Sequence, residues 1–154
     1  MALTVLDSDD NPQTAYYQFE TLRTPSDGAS PLTRWMTKAF SYADVSSASE
    51  VNINIPPMTF VLGVVLQIST AWTAGVTVVI GDDSDPDGWL ETGVVDPTSA
   101  GDMGRDYDAT YSAKGRLYED GDTLDILFET AFPAAGTAKV FIEVISYNEA
   151  LADT

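Results

Sequence analysis

Between Glu50 and Ile55 the chain alternates strictly, with Val51, Ile53 and Ile55 on one side of an extended backbone and Asn52 and Asn54 on the other. A period of two predicts a half-buried β-strand. Residues 34–42, rich in strand-forming side chains, are its expected antiparallel neighbour through the polar link 43–49, and Pro56-Pro57 ends the second strand because neither nitrogen can donate to a ladder. Residues 59–70 (TFVLGVVLQIST) are apolar at both parities, which predicts a central strand with one face on the core and the other covered by a neighbour or a subunit.

Further strands are predicted over 75–82, 89–95, 111–118, 123–129 and 137–147, with Leu124, Ile126 and Phe128 alternating in the seventh. Residues 96–110, dense in Asp, Gly, Ser, Thr and Pro, read as a long loop. About eight strands at regular spacing, with no amphipathic helix between them, argue against a parallel α/β sheet. The expected fold is all-β: an antiparallel β-sandwich of jelly-roll type. It occupies residues 33–148, with a short tail at 149–154.

Residues 1–32 have a different make-up, with Pro12, Pro25, Pro31 and the turn-rich TPSDGASP. They read as an extended N-terminal arm. Its aromatic cluster, Tyr16, Tyr17 and Phe19, wants a surface to lie on, so these residues are the candidate partner interface.

Charge and composition exclude more than they assign. The 154 residues carry 24 acids against seven bases, a formal charge of -17, and nine of those acids fall in 81–110 against Arg105 alone. Nucleic acid and anionic membrane surfaces are therefore not expected partners. The sequence lacks both cysteine and histidine. That removes thiolate and imidazole catalysis, zinc sites built from those ligands, and disulfides. No stretch is apolar enough over bilayer length to span it, and the N-terminus lacks the marks of a signal peptide, which predicts synthesis in a cytoplasm.

One stretch invites a chemical reading. In GDDSDPDGWLE (81–91), Asp83, Asp85 and Asp87 followed by Gly88 match the first half of a calcium loop, where carboxylates two apart converge on a hard cation. The second half fails: position twelve is Val94, and only Glu91 at position nine could add an oxygen. The commoner use of such residues is a turn between strands. Carboxylate pairs for glycoside hydrolysis have no local signature here, and Trp35, Trp72 and Trp89 each adjoin a strand, where core packing is the usual role. No enzyme activity and no cofactor are expected.

The succession FSYADVSSASEVNINIPPMTFVLGVVLQISTAWTAGVTVVIGDDSDPDGWLETGVV, then YSAKGRLYEDGDTLDILFE and GTAKVFIEVISY, resembles small structural proteins of tailed bacteriophages. These are the capsid decoration or cement proteins and related head-associated β-sandwich domains. The likeness covers residues 40–147 and lies in strand and turn patterns, among them the PP turn, the GD…DPDG loop before an aromatic, and the closing Gly-x-Ala-x-Val-x-Ile-x-Val strand. It implies a non-enzymatic virion protein on the capsid exterior, with the major capsid protein and neighbouring copies of itself as partners. In that fold the 81–91 stretch is expected to be an exposed turn. A receptor- or carbohydrate-binding module of a fibre or tail is the alternative. The excess of apolar strand surface over what one sandwich buries predicts a homotrimer.

Overall fold

The computed structural model describes residues 33–146. The candidate interface residues Tyr16, Tyr17 and Phe19 and the tail 149–154 lie outside the described residues. Nine strands alternate along this region: β1 (Thr33–Ser41), β2 (Glu50–Ile55), β3 (Thr59–Thr70), β4 (Thr77–Asp82), β5 (Asp85–Leu90), β6 (Met103–Gly104), β7 (Arg116–Tyr118), β8 (Asp122–Glu129) and β9 (Thr137–Ser146). A single 3-10 turn, Tyr42–Asp44, follows β1 and is closed by the Asp44 carboxylate accepting from the Ser41 N–H and hydroxyl.

The strands form two antiparallel sheets. One runs β1-β9-β3, with β6 and β7 both pairing with β3, and the other runs β2-β8-β4-β5. The pairings nest: β4 with β5, β3 with β6 and β7, β2 with β8, β1 with β9. That is one long hairpin ribbon wound into two layers, the jelly roll expected from the sequence.

Side chains alternate as a two-layer sandwich requires. Val51, Ile53 and Ile55 of β2, Leu124, Ile126 and Phe128 of β8, and Val140, Ile142 and Val144 of β9 are all buried in one core. Val61, Val64, Leu66 and Ile68 of β3 lie beside the β9 residues in the same layer and face those of β2 and β8 across the core. Phe40, Trp72 and Phe128 close one end, the last two stacked with centroids 4.4 Å apart.

The structure changes four of the expected stretches. The largest change is at 81–91, expected to be an exposed turn: only Asp83 and Ser84 turn, and Asp85–Leu90 is strand β5, with Gly88, Trp89 and Leu90 buried. Pro86 is tolerated because β5 lies at the sheet edge, where an N–H need not join a ladder. Residues 91–95, expected to continue a strand from Trp89, turn away instead. Of 111–118 only the last three residues are strand, and 111–114 form a turn whose Tyr111 carbonyl accepts from the Lys114 and Gly115 N–H groups. The loop 96–110 contains β6, a two-residue rung on Leu66 and Gln67.

Candidate functional site

The alternation Val78, Ile80, Asp82 carries an acid into the interior at the end of β4, in phase with two core residues. The Asp82 side chain is fully buried. From the opposite sheet, Arg116 and Tyr118 of β7 point inward, opposite Val61 and Thr59. Arg116 Nε lies 2.9 Å from Asp82 Oδ2, and the Tyr118 hydroxyl donates to the same oxygen at 3.0 Å. Tyr111 donates to Oδ1 at 3.2 Å, as do the backbone N–H groups of Ser84 and Asp85 at 2.9 and 3.2 Å. Trp89 Nε1 then donates to the Tyr118 oxygen at 3.0 Å, extending the chain to a wholly buried indole. The Arg116 guanidinium also lies over the Tyr111 ring, 4.3 Å from its centroid.

Burial, with the Asp82 charge adding to it, pushes both tyrosine hydroxyls above their ordinary range, Tyr118 far above. They therefore stay protonated donors. Asp82 accepts from five groups and neither oxygen faces solvent. Such a carboxylate is engaged in joining the layers, with no lone pair left to act as a base or hold a substrate.

Gly88 belongs to this assembly. A Cβ there would lie 2.4 Å from the Tyr111 ring, so the glycine that resembled a calcium-loop turn makes room for an aromatic 23 residues away. Among the described residues, no group of three or more acidic side chains is disposed to hold a metal. Asp83 and Asp87 are exposed and Asp85 is half-buried; Asp87 has its carboxyl held above the ordinary range chiefly by hydrogen bonding to Asp85. A second carboxylate, Asp106, accepts from the N–H groups of Glu91, Asp108 and Ala109 and ties the 91–95 turn to the 105–115 segment. Burial acts against its charge, but these N–H groups together hold its carboxyl below the usual range.

The two outer faces differ in chemistry. On the β2-β8-β4-β5 sheet, Glu50, Asn52 and Asn54 of β2 and Thr123, Asp125, Leu127 and Glu129 of β8 point away from the core with Val79 of β4, a more polar face on which Asp125 is buried against Asn52. On the β1-β9-β3 sheet the outward positions are largely apolar. Ile145, Phe60 and Leu117 form one cross-strand row, and Thr37, Phe141 and Val65 form another. Trp35, beside Glu143, is half-buried on the same side, whereas Trp72 and Trp89 are core residues.

A bulge at Leu62 puts Gly63 in the middle of that face, where the Arg105 guanidinium lies flat across it. Arg105 pairs with Glu143 at 3.3 Å and donates to the Leu62 carbonyl at 3.0 Å. The Tyr107 ring stands 5.3 Å from the guanidinium carbon and is 71% exposed. Aromatic and aliphatic side chains around an arginine are the composition of protein-protein contact surfaces. Sequence parity along 59–70 locates this face; Arg105 and Tyr107 come to it from a segment that reads as plain loop, with no local signal of their place.

No protein-family model matches the sequence, and comparison with curated proteins finds no match. Solved structures do share the fold. A chain of the cyanophage Pam1 capsid asymmetric unit superposes with a TM-score of 0.55 at 17% identity, covering 82% of this chain and 93% of that one. A chain of the acidic-stable capsid of Helicobacter pylori bacteriophage KHP30 gives 0.52 at 14% identity, covering 74% and 87%. The jelly roll described here is thus a fold found in chains of phage capsid structures.

Proposed function

We propose that this chain is a non-enzymatic virion protein that decorates and stabilises a phage capsid from outside. The observation that carries the proposal is the likeness to the Pam1 capsid chain over 93% of that chain's length. Three features agree with it. The interior carboxylate with the most partners is saturated by structural hydrogen bonds, one outer face has the composition of a contact surface, and the other is the more polar of the two.

In this reading the major capsid protein and neighbouring copies of the chain are the partners, and the working unit is a homotrimer. Residues 1–32 act as an anchoring arm through Tyr16, Tyr17 and Phe19. Burying such rings contributes a few kcal/mol each before ordering entropy is subtracted, about 2 kcal/mol per ring, and several copies acting together reinforce it.

Electron cryo-microscopy of purified virions tests the role: a regular outer lattice of this protein is expected, and its absence from the shell overturns the proposal. Deleting residues 1–30 should leave β-sheet circular dichroism nearly unchanged while abolishing retention on capsids. Unfolding of the truncated protein, or full occupancy without the arm, would remove the arm from the anchoring role.

A further inference from the structure

We propose that the outer face of the β1-β9-β3 sheet is the seat for residues 1–32 of a neighbouring copy, an inference that rests on reading those residues as an anchoring arm. Two observations choose this face over the other. Its exterior is apolar, with Phe60, Val65, Phe141 and Ile145 half-buried and Leu117 and Tyr107 exposed. Its charge also suits the segment: residues 1–32 carry Asp7, Asp9, Asp10, Glu20 and Asp27 against Arg23 alone. The β1-β9-β3 face carries Arg105 and Lys139 against Glu143, its one acid among the described residues, which pairs with Arg105, so the face is net positive through Lys139. The opposite face presents Glu50 and Glu129, with Asp125 buried beside them against Asn52, and would repel the segment.

Reach makes a neighbour accessible. The segment joins β1 at Thr33, whose cross-strand partner Ile145 begins the row that continues through Phe60 to Leu117. The sheet from β1 to β7 is three strand spacings wide, about 14 Å, whereas the 14 residues from Phe19 to Thr33 span roughly 46 Å when extended. Pro25 and Pro31 favour an extended course. Extended across the strands, the segment is long enough to carry the aromatic cluster past its own sheet and onto another copy. Tyr16, Tyr17 and Phe19 supply rings for the Phe60, Val65 and Phe141 surface, and the adjoining acids meet Arg105 and Lys139.

The absence of cysteine makes a clean test possible in the full-length chain. Gln18→Cys leaves all three rings in place. It is mixed with separate single variants Val65→Cys and Thr37→Cys on the proposed face, or Asn54→Cys on the opposite face, and treated with a short bismaleimide. Covalent heterodimers are expected with Val65→Cys and with Thr37→Cys, at least tenfold over Asn54→Cys. Thr37, at the sheet edge, serves if Val65→Cys fails to fold. Equal yields on both faces, no heterodimer on the proposed face, or linkage only within one chain when Gln18→Cys and Thr37→Cys are combined, overturns the inference. Capsid retention of the 1–30 deletion is read separately. If retention is lost while these cross-links fail, the anchoring role stands and this docking face falls.

Discussion

Tyr118 of β7 and Asp82 of β4 belong to different sheets, yet the hydroxyl of one donates to the carboxylate of the other at 3.0 Å in the interior. Arg116 supplies the balancing charge from the same strand as Tyr118. Removing the arginine alone leaves a buried carboxylate without a counter-charge. We expect Arg116→Met to cost about 3 kcal/mol in urea unfolding, the loss typical of a broken buried pair. Asp82→Asn in that background should recover part of it, since the charge needing compensation is gone. Tyr118→Phe should cost about 1–3 kcal/mol, because it removes the donor to Asp82 and the acceptor of the Trp89 N–H together. A neutral Arg116→Met would refute this account of the node.

On the outer face, Gly63 is the floor on which Arg105 rests. An added Cβ would lie 2.2 Å from the guanidinium, which is the mobile end of its side chain and can lift away. Gly63→Ala should therefore fold, at a cost of about 1 kcal/mol for the lost bonds to Glu143 and the Leu62 carbonyl. Glu143→Gln should cost less in the Gly63→Ala background than alone. Strictly additive effects in thermal melts would show that the contact is not the one at stake.

The Asp85 and Asp87 carboxyls on β5 interact, and Asp87 is raised from its ordinary value. A raised carboxyl binds its proton more tightly in the folded chain than in the unfolded one. Its contribution to stability therefore grows as pH falls through the folded value, and ionisation at neutral pH opposes folding. Asp87→Asn should raise the melting temperature at pH 7 and leave it unchanged near pH 3, where the native side chain is already neutral. Chelation should not alter the melting temperature. A drop with EDTA that calcium restores and Asp85→Ala abolishes would reinstate a calcium site on these carboxylates.

Period-two alternation made β2 and β8 legible, and Pro56-Pro57 marked the end of β2, because those signals lie within the strands themselves. β5 was not legible, since Asp85, Pro86, Asp87 and Gly88 are all turn residues by local preference. Their strand conformation comes from a sheet edge that tolerates proline and from the Tyr111 ring that occupies the space over Gly88. Both causes are distant in sequence. Asp82 could have been found: it continues the inward parity of Val78 and Ile80, just as Arg116 and Tyr118 share one parity. An acid in phase with a core stripe, with an inward arginine elsewhere, is the available signal for such a node.

The nested pairing also sets an order of assembly. The β4-β5 hairpin closes across two residues, whereas β1 meets β9 only after more than ninety intervening residues are in place. Closure entropy grows with loop length, so a ribbon that zips from its tip meets each later pairing across a loop already shortened by the previous one. Folding should nucleate around Val78 and Ile80 and finish with β1. Truncating Val78 to Ala should then slow refolding, while Met36→Ala on β1 should mainly speed unfolding. Equal partition of both substitutions between the two rates would contradict this order. On this route β1, the strand that begins at Thr33, stays unpaired until the rest of the sandwich is in place, so the outer edge of β9 is an open sheet edge, available to another chain, until the last step of folding.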